Sequence, residues 1–196
     1  MNLATKTVVA AIGAALTSGF AYAQGTTATV ERDAKQQQRI EQGLQSGELT
    51  TKEAASLEKQ EAKVETMQKN ALRDGTLTPA EQARLDKAQN KVSADIYTDK
   101  HNARVGNPNS ASSKRMQADV QRNANQQARI AQGAASGQLT NREVAGLERG
   151  QSHVTAREAY AGSDGHVGPV EQANIQAAEN RKSARIYDKK HNAVTK

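Results

Sequence analysis

Apolar residues are sparse along this chain, and they fall at helical spacing. Leu57, Val64 and Ala71 are seven apart with Met67 between them, and Leu85, Ala88, Val92 and Ile96 follow at intervals of three, four and four. Such spacing lines residues up on one stripe of an α-helix. A sparser row, Val30, Ile40 and Leu44, marks an earlier helix over about 30–45. The pattern then comes again: a helix over about 116–135, then Leu147, Val154 and Ala161, then Ile175, Ala178 and Ile186. No run alternates with a period of two, and β-branched and aromatic clusters are few, so strands are not expected. The pattern predicts an all-α fold, two tandem copies of a three-helix unit built from helix-turn-helix pairs.

Residues 30–104 align without a gap on residues 120–194 at an offset of 90, with 35 of 75 pairs identical. A period this long marks two copies of a small domain, because solenoid repeats are typically about 20–50 residues. The segments expected are a polar tail at 24–29, copy one at 30–104, a linker and helix entry at 105–118, and copy two at 119–196. Val105 to Ser113 is the clearest break, since Gly, Pro, Asn and Ser all interrupt regular structure. Lys182 stands where copy one has Val92. That change narrows the apolar stripe, so copy two is expected to be the less stable half.

Residues 1–23 read as a secretory signal peptide. Lys6 precedes an apolar core from Thr7 to Leu16, and Ala21-Tyr22-Ala23 gives a small-x-small pattern before Gln24. The core is shorter than the roughly 20 residues a membrane anchor needs. The expected address is therefore periplasmic or secreted, with no transmembrane segment in the mature chain. There is no cysteine, which excludes a disulfide framework, a thiolate metal site and a cysteine nucleophile.

Hydrophobic residues make up 36% of the chain, low against a typical ~45–50%, so the core is expected to be thin and a homodimer is one way to complete it. The net charge of +6 suits an anionic partner. Nucleic acid is disfavoured, because Lys and Arg are interleaved with Glu and Asp on every helix and stacking aromatics are scarce. No phosphate loop, zinc-protease motif or nucleophile signature occurs. The expectation is a non-enzymatic helical binding protein whose partner is another protein or an anionic envelope component.

Four turns share a Gly-x-aliphatic-x-x-x-Glu pattern, at Gly47, Gly75, Gly137 and Gly165. Thr50-x-x-Glu53 and Thr78-Pro79-x-Glu81 are capping boxes, the second with Pro at the first helical position. The preceding glycine suits a helix C-cap. The eight residues from Asp74-Gly75 to Glu81 also resemble the second half of an EF-hand calcium loop, as do Asp164-Gly165 to Glu171. That resemblance implies a site for Ca²⁺ or another hard cation using Asp74, Glu81, Asp164 and Glu171. It does not extend to the first half of the loop, where Asn70 and Tyr160 fall at position one, so it implies weak affinity. A second constellation is Ile-Tyr-x-x-Lys-His-Asn. Tyr97 and His101, and likewise Tyr187 and His191, are four apart and share a helix face. They are candidates for a binding surface or a weak imidazole site, or else they simply finish the helix. His153 and His166 have no counterpart in copy one, where Lys63 and Thr76 stand.

Overall fold

The computed structural model describes residues 17–193, with side chains from residue 24 onward. The first sixteen residues of the expected signal segment lie outside that range. Six helices follow one another: α1 (Thr17–Ser46), α2 (Thr51–Ala71), α3 (Pro79–Lys100), α4 (Ala111–Ala135), α5 (Asn141–Ala161) and α6 (Pro169–Lys190). No strand occurs among the described residues, and none of the helices is long and apolar enough to cross a membrane.

The helix starts come from capping chemistry. Thr50, Thr78 and Thr140 each cap a helix, accepting from the backbone of Glu53, Glu81 and Glu143, whose carboxylates reach back to the cap. Gly168 has no side chain to offer, yet Glu171 still accepts from its N–H at 2.8 Å. Ser110 caps α4 through Ser113. That cap sets the helix start at Ala111, inside the segment expected as linker, and leaves a connection of about ten residues. Gly106 fastens this connection by donating to Gly47 O at 2.8 Å. A Cβ on Gly106 would lie 2.2 Å from Leu49 O, so no larger residue fits there. The four turn glycines, Gly47, Gly75, Gly137 and Gly165, all have positive φ.

Residues 24–29 are not a tail. They continue α1, with Thr26 and Thr29 buried, because Thr29 O accepts from Gln89 Nε2 at 2.8 Å and Thr29 Oγ1 from Gln82 Nε2 at 3.2 Å on α3.

The two copies do not stand side by side. α1 runs antiparallel along α4 and α2 along α5, while α3 leans on α1 and α2, and α6 on α4 and α5. Each apolar cluster therefore draws on both copies. One joins Ile40, Leu44, Leu57 and Ile96 of copy one to Met116, Val120, Val154 and Ile175 of copy two. The other joins Val30, Leu72 and Leu85 to Ile130, Leu147 and Ile186. The thin stripes of each copy are completed by the other copy.

Several residues kept in both copies dock the third helix of a unit onto its first. Gln36 Nε2 donates to Gln89 O at 2.7 Å and Gln126 Nε2 to Glu179 O at 3.1 Å. Arg39 Nη1 donates to Ser93 Oγ at 2.6 Å and Arg129 Nη1 to Ser183 Oγ at 2.7 Å.

Candidate functional site, a carboxyl and carboxamide layer inside the bundle

The Asp-Gly turns bring their carboxylates onto their own backbone. Asp74 Oδ1 accepts from Thr76 N–H at 2.9 Å, and Asp164 Oδ1 from His166 N–H at 2.8 Å. Glu81 Oε2 accepts from Thr78 N–H at 3.0 Å and from its hydroxyl at 2.6 Å. Copy one's turn also rests on α5, where Arg142 Nη2 donates to Asp74 O at 2.9 Å and Asn141 Nδ2 to Gly75 O at 3.0 Å. A cation, Arg142, already stands beside that turn.

The Tyr and His side chains meet as their spacing predicts. Tyr97 and His101 stack with ring centroids 4.1 Å apart, and so do Tyr187 and His191. His101 Nδ1 lies 2.7 Å from Tyr97 O and His191 Nδ1 2.8 Å from Tyr187 O. A carbonyl only accepts, so Nδ1 carries the proton in each. The asparagine next in the motif ties α3 and α6 down. Asn102 Nδ2 donates to Glu53 Oε1 at 2.8 Å, and Asn192 Nδ2 to Glu143 Oε1 at 2.6 Å. The asparagine contacts account for the recurring Asn by anchoring each third helix to the capping glutamate of the second.

Between the two apolar clusters lies something the hydrophobic pattern did not announce. On α2, Glu58, Glu61, Glu65 and Gln68 are each 0% exposed. Their spacing of three, four and three keeps them on one face, and that face points inward. On α5 the equivalent Glu148, Gln151, Thr155 and Glu158 are buried as completely. α1 adds Asp33, Gln36 and Gln37, α4 adds Asp119, Asn123, Gln126 and Gln127, and α3 and α6 add Gln89, Glu179 and Lys182, all buried. Acidic side chains are almost never fully buried without a partner.

A hydrogen-bonded chain crosses from one copy to the other through this layer. Gln37 Nε2 donates to Glu58 Oε2 at 2.9 Å, and the Glu58 carboxyl stands against that of Glu158. Glu158 Oε2 accepts from Asn123 Nδ2 at 3.2 Å, which also donates to Thr155 Oγ1 at 2.8 Å. The Thr155 hydroxyl donates to Glu65 Oε1 at 3.1 Å, its own counterpart in copy one. Gln127 Nε2 then joins Glu65 Oε1 at 2.9 Å to Glu148 Oε2 at 3.1 Å. Asp33 accepts from Gln68 and, at 2.6 Å, from Gln89 Nε2.

The layer has too many acceptors. Among the described residues, every buried side-chain atom left without a hydrogen-bond partner is an oxygen, including both oxygens of Glu61 and Oε1 of Gln36, Gln37, Gln68 and Gln127. Burial accordingly drives the acids toward their neutral forms. It raises Asp33 and Glu58 to about 7 and Glu148 to about 8. Glu61 is pushed well above the ordinary range by burial and then by the charges of Asp33, Glu58 and Glu65. Glu65 and Glu158 are raised well above it too, by burial first and then by neighbouring carboxyls. Asp119 is raised to about 7 and Glu179 to about 8, again chiefly by burial, with Arg122 Nε 3.3 Å from Glu179 Oε2. Among the described residues no three acidic or imidazole groups already stand in a geometry that could hold a metal ion. In the neutral state the acids are interleaved with carboxamides.

None of the family models, curated proteins or solved structures compared with the chain matches it.

Proposed function

We propose that this is an exported, non-enzymatic helical binding protein whose interior layer takes up a hard cation in exchange for protons. The observation that carries the reading is Glu61, fully buried with both oxygens unpartnered and facing Asp33, Glu58 and Glu65. Ionised, such a group costs several kcal/mol unless a positive charge arrives. Carboxylates and carboxamide oxygens are the ligands of Ca²⁺ and similar oxygen-seeking ions, and the absence of cysteine and imidazole from the layer disfavours softer metals. Uptake requires at least Glu58 and Glu61 to lose their protons and turn onto one ion. The same idea placed in the Asp-Gly turns uses carboxylates that already serve caps and turns.

The test separates the two locations. At pH 7.5, millimolar Ca²⁺ or micromolar La³⁺ should raise the melting midpoint of the protein, since an ion bound only by the native state stabilises it. Glu61→Gln, which installs the residue copy two has at position 151, should abolish the shift, and Asp74→Asn with Asp164→Asn should leave it. The reverse outcome would place the ion in the turns.

A second reading, an interaction surface for an anionic partner, is favoured by one feature of copy two. A groove of about 690 Å³ between α5 and α6 is lined by His153, Arg157, Tyr160, Asn174 and Arg181 together with Glu171. The corresponding groove in copy one, at Met67, Asn70 and Arg84, is about 220 Å³. Copy two has thus gained room, an exposed tyrosine in place of Asn70 and an arginine in place of Met67, while Asn174 stands where copy one has Arg84. Retention on an anionic polymer resin should fall in Arg157→Glu with Arg181→Glu, and unchanged retention would count against this surface.

A further inference from the structure

Among the places where the two halves of the layer differ, one carries two changes that compensate each other. Lys182 occupies the place of Val92, and its side chain goes inward, leaving the residue 5% exposed. Its ammonium donates to Leu147 O on α5. Opposite it stands Gly150, where copy one has Gln60. A Cβ on Gly150 would lie 2.5 Å from Lys182 Nζ, so the glycine makes the space that the ammonium fills. A lysine that had merely replaced a core valine could have bent toward solvent. This one is housed.

Two acid pairs bridge the copies within the layer, and they are not equally supplied with charge. Glu148 faces Lys182, and Glu65 faces both Glu148 and Lys182. The other pair, Glu58 with Glu158, has Glu61 beside it and several further carboxyls in range. Glu58 is the counterpart of Glu148, and the counterpart of Lys182 is the uncharged Val92. The positive charge acting on Glu61 is Arg32, which is turned to Asn90 Oδ1.

We propose that Lys182 is a built-in cation serving the Glu65 and Glu148 end of the layer, so that an added hard cation is taken only at the Glu58, Glu61 and Glu158 end. This rests on the cation-uptake reading and fixes its stoichiometry: one ion per chain in a layer that holds two acid pairs bridging the copies. The lysine also makes one end of the layer independent of the ion supply, because its charge is covalently held.

The deciding experiment counts terbium(III) ions bound at pH 7.5, by native mass spectrometry and by titration, to the native chain, to Lys182→Val and to Lys182→Val with Gly150→Gln. The double variant restores the copy-one pair and refills the space the ammonium leaves. One ion on the native chain and two on both variants is the expected result. Equal stoichiometry in all three would overturn the role given to Lys182 while leaving cation uptake intact. Terbium bound by the variants alone would keep Lys182 as the internal cation and overturn uptake by the native chain. No binding by any of them would overturn both.

Discussion

The melting midpoint of the protein should rise as the pH falls from 8 to 5, against the usual behaviour of proteins held together by ionised carboxylates. The sign follows from the direction of the shifts. Eight buried acids, Asp33, Glu58, Glu61, Glu65, Asp119, Glu148, Glu158 and Glu179, all have raised values in the folded state, with burial the leading cause in each. The unfolded chain loses those protons from about pH 4 upward, at ordinary carboxyl values. The folded chain keeps them to about 7 or 8 or beyond. Across that window unfolding releases protons, and each one lowers stability by about 1.4 kcal/mol per pH unit. Three such protons over one unit amount to about 4 kcal/mol, which for a chain of this size is on the order of 10 °C in Tm.

Two groups of opposite sense do not reverse the trend. Although partial burial works against it, bonds from Thr50, Asn102 and Arg104 hold Glu53 below its usual range, and Asn192 and Thr140 do the same for Glu143. Stability from that pair is lost only below the window. Burial lowers Lys182 to about 8, and its penalty on the folded state is relieved only above that value. A thermal melt series from pH 4.5 to 8.5 in chelator would show the slope. A midpoint that climbs toward pH 8 would mean that the layer is ionised and compensated in the free protein.

Replacing Glu61 by methionine should stabilise the protein at pH 8 and remove cation uptake at once. Methionine fills a similar volume. Even a buried ion pair can be exchanged for well-packed apolar residues with a gain of about 1–4 kcal/mol, so an acid with no cation beside it should gain on that scale. Glu61 has no hydrogen-bond partner to lose, so the upper part of that range is expected at pH 8, shrinking toward zero at pH 4.5. Urea midpoints at the two pH values give the comparison. Loss of stability at pH 8 would show that the carboxylate is engaged favourably, and uptake would then need another origin. A gain in stability on deleting this one acid would mark it as a residue kept for what it binds.

Much of the architecture was legible in the chain. The duplication is plain from Ile96-Tyr97 and Lys100 to Ala103 recurring ninety residues later, and Thr50, Thr78 and Thr140 announce three helix starts by local chemistry alone. The Tyr97–His101 stack follows from helical pitch. Partner choice did not follow. Periodicity tells which face of α2 is apolar but not that it closes on α5 of the other copy rather than on its own neighbours. The polar tail at 24–29 was misjudged for a related reason, since Thr26 and Thr29 are polar and their burial depends on α3 lying across them.

The interior layer was hidden more deeply. Glu58, Glu61 and Glu65 interleave with Leu57 and Val64 on α2, and charge beside an apolar stripe ordinarily marks the solvated edge. The signal was present in Gln36, Gln37 and Glu58, which are identical in the two copies at helical spacing without a turn or cap to explain them. Only the antiparallel pairing of the copies, which covers that edge from both sides, turns a solvated flank into an interior.

The most direct measurement of the central claim is the number of protons released when the ion binds. Calcium or terbium(III) would be added to weakly buffered protein at pH 7.0 in a pH-stat, with Glu61→Gln alongside. The account predicts release of one or more protons per ion from the native chain and no release from the variant. Binding with no proton release, or equal release from Glu61→Gln, would contradict it.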